Sequence, residues 1–277
     1  MDRYAVVGNP VAHSKSPLIH AEFAAQTGQE LHYEALLAPL DGFAATVAAF
    51  RAAGGRGLNV TAPFKLEAFE LADRLSPRAE AAGAVNTLAF DGGQAYGDNT
   101  DGAGLVRDLT HNLGRQLAGR RVLLLGAGGA ARGAILPLLM EGPASLVIAN
   151  RTESRALELA DRFRAGAGDA ELRASSFAGL AGSTFDLVIN ATAASLSAQS
   201  PELPPGVYAP GALAYDMMYG KGDTAFMRAA RADGAAAVAD GLGMLVEQAA
   251  ESFQLWRGVR PQTTSVLADL RASIDRG

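Results

Sequence analysis

The order of apolar runs and turn residues along the chain predicts an α/β protein. In the first hundred residues, short apolar strands alternate with helix-like stretches, and Asp91-Gly92 separates two further strand-like runs, as in a β-hairpin. This part should therefore contain a mixed sheet. Its predicted strands are 4–7, 31–38, 57–61, 84–90 and 95–101, with helices from about 16 to 27 and from 41 to 53.

From about residue 100 the pattern becomes that of a doubly wound parallel sheet, in which helices alternate with buried strands. A helix that begins after Asp240-Gly241 carries apolar residues at helical spacing, and a last helix should run from about 263 to 274. The predicted strands are 121–125, 146–149, 186–189, 212–216 and 236–239.

A glycine-rich turn, Gly126-Ala127-Gly128-Gly129-Ala130-Ala131, joins strand 121–125 to an alanine-rich helical run. The Gly-x-Gly-x-x-Ala spacing lets the backbone approach a pyrophosphate at a helix N-terminus. Because the chain has 32 glycines, the spacing alone is weak evidence, and an ordinary strand–helix turn is the alternative. The strand before the turn and the helix after it favour a dinucleotide site.

The loop after the next strand indicates which dinucleotide binds. In NAD sites a carboxylate about twenty residues beyond the glycines accepts the ribose hydroxyls, whereas an arginine accommodates the 2′-phosphate of NADP. This loop holds Asn150, Arg151, Thr152 and Arg155, and no acid stands at the strand end. Arg155 is also compatible with a plain helix-surface charge, but Arg151 at the strand tip favours NADP.

Composition narrows the classes of function. The chain has 277 residues, of which 49% are hydrophobic, and a formal net charge of -5. It lacks the basic patch of nucleic-acid-binding proteins and any apolar run of the roughly 18 residues that a membrane span needs. It contains no cysteine, and no histidine has a partner at metal-ligand spacing. We therefore expect a cytoplasmic enzyme without metal, nucleic-acid or membrane partners.

Lysine is rare, since only Lys15, Lys65 and Lys221 occur among 24 basic residues. Unlike arginine, lysine can give up a proton. All three lie in stretches punctuated by glycine or proline, which we expect to be loops. A general bias towards arginine would also explain the scarcity, so the lysines are candidates only.

Several polar residues lie next to strand ends, where open α/β sheets bind ligands. Asn59 and Thr61 are two apart on a predicted strand and should share a face, with Lys65 following one helical turn later. The alternative is a satisfied strand end with a solvent-exposed lysine. Ser14 and Ser16 precede the first helix, where two hydroxyls suit an anion but also an ordinary N-cap.

Three further polar positions are candidates for a site. Asn86 interrupts a predicted apolar strand with an amide that needs partners. The run Asp98-Asn99-Thr100-Asp101 is typical of a turn and helix cap, but it contains one more acid than a cap requires. Gln248 lies beside the apolar stripe of its helix, so it reaches either a cleft or the surface.

Motifs of one known family occur in order along the whole chain. They are Asn-Pro-Val-Ala-His-Ser-Lys-Ser-Pro (9–17), Asn-Val-Thr-Ala-Pro-Phe-Lys (59–65), Ala-Gly-Ala-Val-Asn-Thr (82–87), Gly-Asp-Asn-Thr-Asp-Gly (97–102), Gly-Ala-Gly-Gly-Ala-Ala-Arg (126–132), Asn-Arg-Thr (150–152) and Asp-Gly-Leu-Gly-Met-Leu-Val-Glu-Gln-Ala (240–249). Together they resemble the shikimate dehydrogenase family.

The resemblance implies an architecture and a reaction. It implies a two-domain α/β fold, with a mixed-sheet substrate domain (1–101 and 240–277) and a Rossmann-like, doubly wound NADP domain (102–239). Family members reduce 3-dehydroshikimate reversibly to shikimate with NADPH, on the way to chorismate and the aromatic amino acids. A monomer or homodimer acting on this small molecule is therefore expected.

The resemblance also implies residue roles. Lys65 and Asp101 would be the catalytic pair, because ketone reduction leaves an alkoxide that a charged lysine can stabilise and protonate. Ser14 and Ser16 would bind the substrate carboxylate, with Tyr219 near it, while Asn59, Thr61, Asn86, Asp101 and Gln248 would hold the ring hydroxyls. Cofactor contacts would come from the 126–131 turn and from Asn150, Arg151, Thr152, Arg155, Ala191, Met217 and Gly241. Where the family often has serine and glycine directly after Asn-Ala-Thr, this chain reads Asn190-Ala-Thr192-Ala-Ala-Ser195.

Three other functions remain as alternatives. A quinate/shikimate dehydrogenase that prefers NAD would be expected to have an acid in place of Arg151. An enzyme of the methylenetetrahydrofolate dehydrogenase type would also pair a lysine with a nucleotide fold, but the serines and Asn59 favour a small polyhydroxylated acid. A sensing homologue without catalysis would be expected to have lost Lys65 or Asp101.

Overall fold

The computed structural model describes residues 1–192, 194 and 199–276, which form two compact units. The first unit is Met1–Gly104 with Val246–Ala268, and the second is Leu105–Leu245 with Asp269–Gly277. The structural boundaries thus fall a few residues after the predicted ones, and the end of the last helix groups with the second unit. The division into substrate and NADP domains stays a prediction.

The first unit contains the elements of the N-terminal part. In chain order they are β1 (Asp2–Gly8), α1 (Ser16–Thr27), β2 (Leu31–Leu37), α2 (Phe43–Ala52), β3 (Gly55–Val60), α3 (Lys65–Leu71), β4 (Arg74–Leu75), α4 (Pro77–Ala82), β5 (Thr87–Asp91), β6 (Gln94–Asp98) and the start of α5 (Asp101–Arg107).

The sheet of the first unit is mixed, as predicted. Its strand order is β2-β1-β3-β5-β6-β4, with β1 parallel to β2 and β3, and β5 antiparallel to β3 and β6. The β5–β6 hairpin turns at Gly92 and Gly93, whose φ angles of 54° and 84° suit glycine. On one face of the sheet, α2 buries Phe43, Val47 and Phe50, which lie at helical spacing.

The second unit contains the remaining elements. They are the rest of α5 with a π-helical turn (Asp108–Asn112), β7 (Arg121–Leu125), α6 (Gly129–Met140), β8 (Ser145–Ala149), α7 (Glu153–Phe163), β9 (Glu171–Ser175), β10 (Phe185–Asn190), β11 (Tyr208–Asp216), α8 (Ala225–Ala232) and β12 (Ala237–Asp240), with short 3-10 turns at Arg164–Gly166 and Ala178–Leu180. Two helices, α9 (Leu242–Arg257) and α10 (Thr264–Arg276), belong partly to each unit.

The sheet of the second unit is doubly wound and parallel throughout. Its order is β12-β11-β10-β7-β8-β9, which is the strand order of a Rossmann fold. Strand β7 is buried on both faces from Val122 to Leu125, as expected for a central parallel strand. The strand order reverses between β7 and β10, and such switch points bind ligands at the carboxyl ends of the strands.

Some local predictions were wrong, for identifiable reasons. Strands β4 and β9 were not predicted, because β4 has two residues and β9 is an edge strand in which only Leu172 is fully buried. Asn86 does not interrupt a strand, since β5 begins at Thr87, although Asn86 N still donates to Asp98 O (3.0 Å). Lys65 is not in a loop, because it is the first residue of α3.

No described helix combines the length and the apolar character needed to cross a membrane. Within residues 1–192, 194 and 199–276, no group of three or more histidine, aspartate or glutamate side chains could hold a metal ion.

Candidate active site

In the first unit, the carboxyl ends of two adjacent parallel strands bring Thr61 next to the loop after β1. Thr61 lies one residue beyond β3, and its N–H donates to Val7 O (2.9 Å). Thr61 O in turn accepts from the N–H of Phe64 (3.1 Å), which starts the turn into α3. The strand end therefore leads directly to Lys65 at the beginning of that helix.

Lys65 and Asp101 form an ion pair. The Lys65 Nζ lies 2.5 Å from Asp101 Oδ2, and the two side chains are 30% and 12% exposed. The ammonium thus remains accessible to a small molecule, whereas the carboxylate is largely buried. Both residues open a helix, Lys65 that of α3 and Asp101 that of α5.

Asn86 fixes the second oxygen of that carboxylate. Its Nδ2 donates to Asp101 Oδ1 (2.8 Å) and to Thr100 Oγ1 (2.9 Å), and it lies 3.4 Å from Gln248 Oε1. Its Oδ1 accepts from the backbone N–H of Thr100 (2.8 Å) and from the hydroxyl of Thr87 (3.0 Å), and the two bonds together set the orientation of the amide. Asn86 thus has the partners that its amide needs, and it shares a polar cluster with Gln248.

Asn59 belongs to the same cluster, but its amide is already engaged by the protein. Asn59 Oδ1 accepts from the hydroxyl of Tyr33 (2.8 Å), and Nδ2 donates to Thr87 Oγ1 (3.1 Å) and Ser252 Oγ (2.8 Å). Tyr33, Thr87 and Ser252 were not predicted from the sequence. Ser252 also donates to Gln248 O (3.1 Å), so α9 is held to the cluster at two successive turns.

The loop that carries Asp101 is braced by a buried ion pair. Asp98 accepts from Arg78 Nε and Nη2 (both 2.7 Å), from Ser76 Oγ (2.5 Å) and from the N–H of Asn99 (2.7 Å). Burial by itself would raise the pKa of Asp98, but the hydrogen bonds and charge of Arg78 hold it below its usual range. Asp98, the acid beyond what a helix cap requires, therefore stabilises the loop. The N–H of Asp101 donates to Asn99 Oδ1 (3.2 Å), which caps the start of α5.

The two serines adjoin the start of α1. Ser14 Oγ accepts from the N–H of Ser16 (3.2 Å), whereas Lys15 is the N-cap residue and makes no side-chain cap. Ser14 thus takes over part of the capping, which agrees with the ordinary interpretation without excluding an anion. Ser16 is buried (6% exposed).

In the second unit, the turn after β7 has the backbone that a dinucleotide phosphate requires. Gly126 has a φ of 108°, and its N–H donates to Ala149 O (2.7 Å) at the end of β8. A Cβ at Gly126 would lie 3.1 Å from Ala191 O, whereas Cβ atoms at Gly128 and Gly129 would meet nothing within 4 Å. The chain is therefore tight at the first glycine and open over the first turn of α6, which fits a pyrophosphate at the helix N-terminus.

The loop after β8 carries the predicted 2′-phosphate residues. Asn150 Nδ2 donates to Thr152 O (2.8 Å), which closes the loop, and Arg155 N donates to the same oxygen (3.2 Å). The side chains of Arg151 and Arg155 are exposed. One guanidinium group thus belongs to the loop after β8 (Arg151) and the other to the first turn of α7 (Arg155), an arrangement that suits an additional phosphate.

The remaining predicted cofactor residues end the neighbouring strands of the same sheet. Ala191 N donates to Leu125 O (2.9 Å), Met217 N donates to Asn190 O (3.0 Å), and Gly241 N donates to Met218 O (3.0 Å). A Cβ at Gly241 would lie 2.1 Å from Met217 O, so glycine is required there. Ala193 and Ser195, in the loop that departs from the family pattern, lie outside the described residues.

The structure thus sorts the predicted residues into two groups, each within one unit. Lys65, Asp101, Asn86, Asn59 and Gln248 form one connected cluster in the first unit, where Thr61, Ser14 and Ser16 also lie. The predicted cofactor residues all follow strands of the second unit's sheet. Tyr219 lies in the second unit, and burial, with the charge of Asp240, raises its pKa.

Comparison with known proteins adds independent findings. Three family models match the chain: the shikimate dehydrogenase substrate binding domain at residues 6–88, shikimate / quinate 5-dehydrogenase at 108–200, and the shikimate 5'-dehydrogenase C-terminal domain at 241–271. A shikimate dehydrogenase (NADP(+)) from Aromatoleum aromaticum is 68% identical over 277 residues, covering 100% of this chain and 99% of the relative.

Solved structures agree. An Ael1 enzyme from Pseudomonas putida is 54% identical with a TM-score of 0.91, covering 98% of both chains. A shikimate 5-dehydrogenase from Thermus thermophilus, solved in complex with NADP(H) and shikimate, is 36% identical with a TM-score of 0.86, covering 99% of this chain and 100% of that one. With full-length similarity of this degree added to the cluster around Lys65 and the glycine turn, the chain belongs to the shikimate dehydrogenase family.

Proposed function

We propose that this protein is an NADP-dependent shikimate dehydrogenase, which reduces 3-dehydroshikimate reversibly to shikimate. The observation that carries the proposal is the contact between Lys65 Nζ and Asp101 Oδ2 (2.5 Å), in a cluster with Asn86 and Gln248. The full-length relative from Aromatoleum aromaticum carries the name of this activity with NADP.

The contact between Lys65 and Asp101 supports a catalytic role for each residue. Bound NADPH would supply the hydride that reduces the ring ketone. Lys65 then stabilises the developing negative charge on the former ketone oxygen and gives it a proton, and in the reverse direction it accepts the proton of the alcohol. Asp101 holds the ammonium in place, and Asn86 prevents the carboxylate from turning by holding its other oxygen.

The binding roles are divided between the two groups of residues. Ser14 and Ser16, with Tyr219, bind the substrate carboxylate, whereas Asn59, Thr61, Asn86, Asp101 and Gln248 serve the ring hydroxyls. The 126–131 turn cradles the pyrophosphate, Arg151 and Arg155 with Asn150 and Thr152 bind the 2′-phosphate end, and Ala191, Met217 and Gly241 border the nicotinamide half. Support comes from the clustering of each set within one unit, with Tyr219 as the exception, and from the open cradle over α6.

Domain roles, assembly and location complete the proposal. Residues 1–101 and 240–277 bind the substrate, and residues 102–239 bind NADP. The enzyme acts in the cytoplasm, where reduced NADP is available, as a monomer or homodimer. Light scattering of the purified protein and fractionation of cells would test the last two points.

A direct assay tests the function. Purified protein should oxidise shikimate with NADP and reduce 3-dehydroshikimate with NADPH, and quinate and NAD should be poorer partners. Asp101→Asn should abolish most turnover, whereas Asp186→Asn, which breaks the ion pair with Arg121 at the opposite strand end, should leave turnover unchanged. Turnover of quinate with NAD above that of shikimate with NADP would replace this proposal by the quinate alternative.

A further inference from the structure

A chain of hydrogen bonds leads from the hydroxyl of Tyr33 to the carboxylate of Asp101. None of its first three members was needed to explain the ion pair with Lys65. The links are Tyr33 Oη to Asn59 Oδ1 (2.8 Å), Asn59 Nδ2 to Thr87 Oγ1 (3.1 Å), Thr87 Oγ1 to Asn86 Oδ1 (3.0 Å) and Asn86 Nδ2 to Asp101 Oδ1 (2.8 Å).

All donors in this chain point towards Asp101. A carbonyl oxygen can only accept, so the Tyr33 hydroxyl must donate to Asn59. The amide of Asn59 then presents its N–H to Thr87, whose hydroxyl donates to Asn86 Oδ1 (3.0 Å) and also lies 2.8 Å from Ser252 Oγ. Hydrogen bonds that run in one direction polarise one another, so the orientation at the first residue affects the last.

Tyr33 is buried and held in place beside Asn59. Its ring is 8% exposed and stacks on the buried ring of His20, with centroids 4.2 Å apart and planes 7° apart. Burial raises the pKa of Tyr33 well above its usual range, against the opposing effect of a hydrogen bond with Ser16. The hydroxyl therefore keeps its proton throughout the working pH range of a cytoplasmic enzyme.

We propose that Tyr33 is a positioning residue for the reaction, whose hydroxyl sets the orientation of Asn59 and, through Thr87 and Asn86, that of Asp101. The proposal rests on the proposed function, because Asp101 matters only if it holds a catalytic Lys65. It gives Tyr33 a role four hydrogen bonds away from the carboxylate of Asp101.

Removing the Tyr33 hydroxyl should weaken the chain of hydrogen bonds without leaving a cavity in the core. In Tyr33→Phe the ring still stacks on His20, but Asn59 can turn its oxygen towards Thr87, whose proton then leaves Asn86. We expect kcat for shikimate oxidation to fall about 3- to 10-fold, the effect of one neutral hydrogen bond. KM for NADP should change less than about 2-fold, since the chain does not reach the second unit.

The matched control is Tyr4→Phe. Tyr4 is buried in β1 directly opposite Tyr33 in the register of the two strands, and its hydroxyl contacts Arg257 (3.4 Å) instead of the chain. A general effect of removing a buried hydroxyl from this sheet would lower kcat equally in both variants. Equal losses would therefore overturn the proposal.

A double-mutant cycle separates positioning from stability. Thr87→Val cuts the same chain in its middle at nearly constant volume, and it should lower kcat by a similar factor. If the chain acts as a unit, adding Tyr33→Phe to Thr87→Val should lower kcat little further. A loss of kcat in the double variant equal to the product of the two single losses would overturn the proposal. If Tyr33→Phe does not fold, the kcat of Thr87→Val alone tests the chain of hydrogen bonds. An inactive wild-type protein would instead overturn the proposed function.

Discussion

Lys65 Nζ lies 2.5 Å from Asp101 Oδ2 and shares that carboxylate with Asn86, which holds the other oxygen. The carboxylate is thus held from both sides, while the ammonium keeps part of its surface open. Because the carboxylate is already fixed, the lysine side chain that it holds loses little further conformational entropy when a ligand binds.

We expect Lys65→Ala to lower turnover of shikimate by roughly 10²- to 10⁴-fold, as for the loss of a general acid. Affinity for shikimate should change much less, because the amides and hydroxyls of the cluster remain. Steady-state kinetics and a direct binding measurement would separate the two quantities. Near-normal turnover would remove Lys65 from the catalytic role, and Lys221→Ala provides a comparison at another exposed lysine.

Cofactor preference should depend on Arg151. Charge-assisted hydrogen bonds contribute about 1.5–3 kcal/mol each, so Arg151→Ala should weaken NADP by roughly 10- to 150-fold. NAD lacks the 2′-phosphate and should be nearly indifferent to the change. Added salt should also weaken NADP more than NAD in the wild-type protein. Equal losses for both cofactors would show that Arg151 supports the loop or the adenine instead.

Stability should fall on mild acidification because of His20. Burial lowers the pKa of His20 to about 3, from 6.5 in the unfolded chain, and its side chain is 0% exposed. Below pH 6.5 the unfolded chain takes up a proton that the folded protein excludes, so the free energy of unfolding should fall by about 1.4 kcal/mol per pH unit. Urea unfolding between pH 7 and pH 4 measures the slope.

The matched variant for that measurement is His20→Phe, which keeps an aromatic ring against Tyr33 but cannot titrate. Its free energy of unfolding should lose most of the slope between pH 6.5 and pH 4. An equal slope in both proteins would assign the acid sensitivity to other groups.

A second acid-sensitive contribution should come from Asp98. The pKa of Asp98 in the folded protein is below the ordinary value for aspartate, so the stabilisation is present above about pH 4 and is lost as the pH falls further. Removing the partner, in Arg78→Met, leaves a buried carboxylate and should cost about 2–4 kcal/mol at pH 7. Arg164→Met breaks a pair whose side chains are 64% and 69% exposed, and it should cost about 0.5 kcal/mol or less. Similar losses in the two variants would contradict the buried brace.

The sequence predicted the parts of the site that depend on residue type and on a local motif. Gly126 to Ala131 is recognisable because a strand, a turn and a helix follow one another within a few residues. Lys65 and Asp101 were found through their chemistry and through a family resemblance. Strand β7 was predicted with its observed bounds because a central parallel strand is continuously apolar.

The supporting residues were missed because their partners are distant in the sequence. Asn59 and Ser252 are 193 positions apart, and Thr87 and Ser252 are 165 apart, so no spacing rule connects them. Tyr33 in a strand and Arg78 in a short helix have the appearance of ordinary core and surface residues. Their roles depend on tertiary packing, which brings a particular hydroxyl or guanidinium to a particular acceptor.

The predicted cofactor residues of the second unit lie in separate segments, each of which follows a different strand of the sheet. Arg151 lies in one such loop and Arg155 in the first turn of the helix that follows, and both are exposed. Exchanges at exposed positions usually alter stability by less than about 0.5 kcal/mol. The prediction that Arg151 and Arg155 select the cofactor therefore implies that single exchanges at these positions alter the preference, while the protein stays folded and the residues around Lys65 stay unchanged.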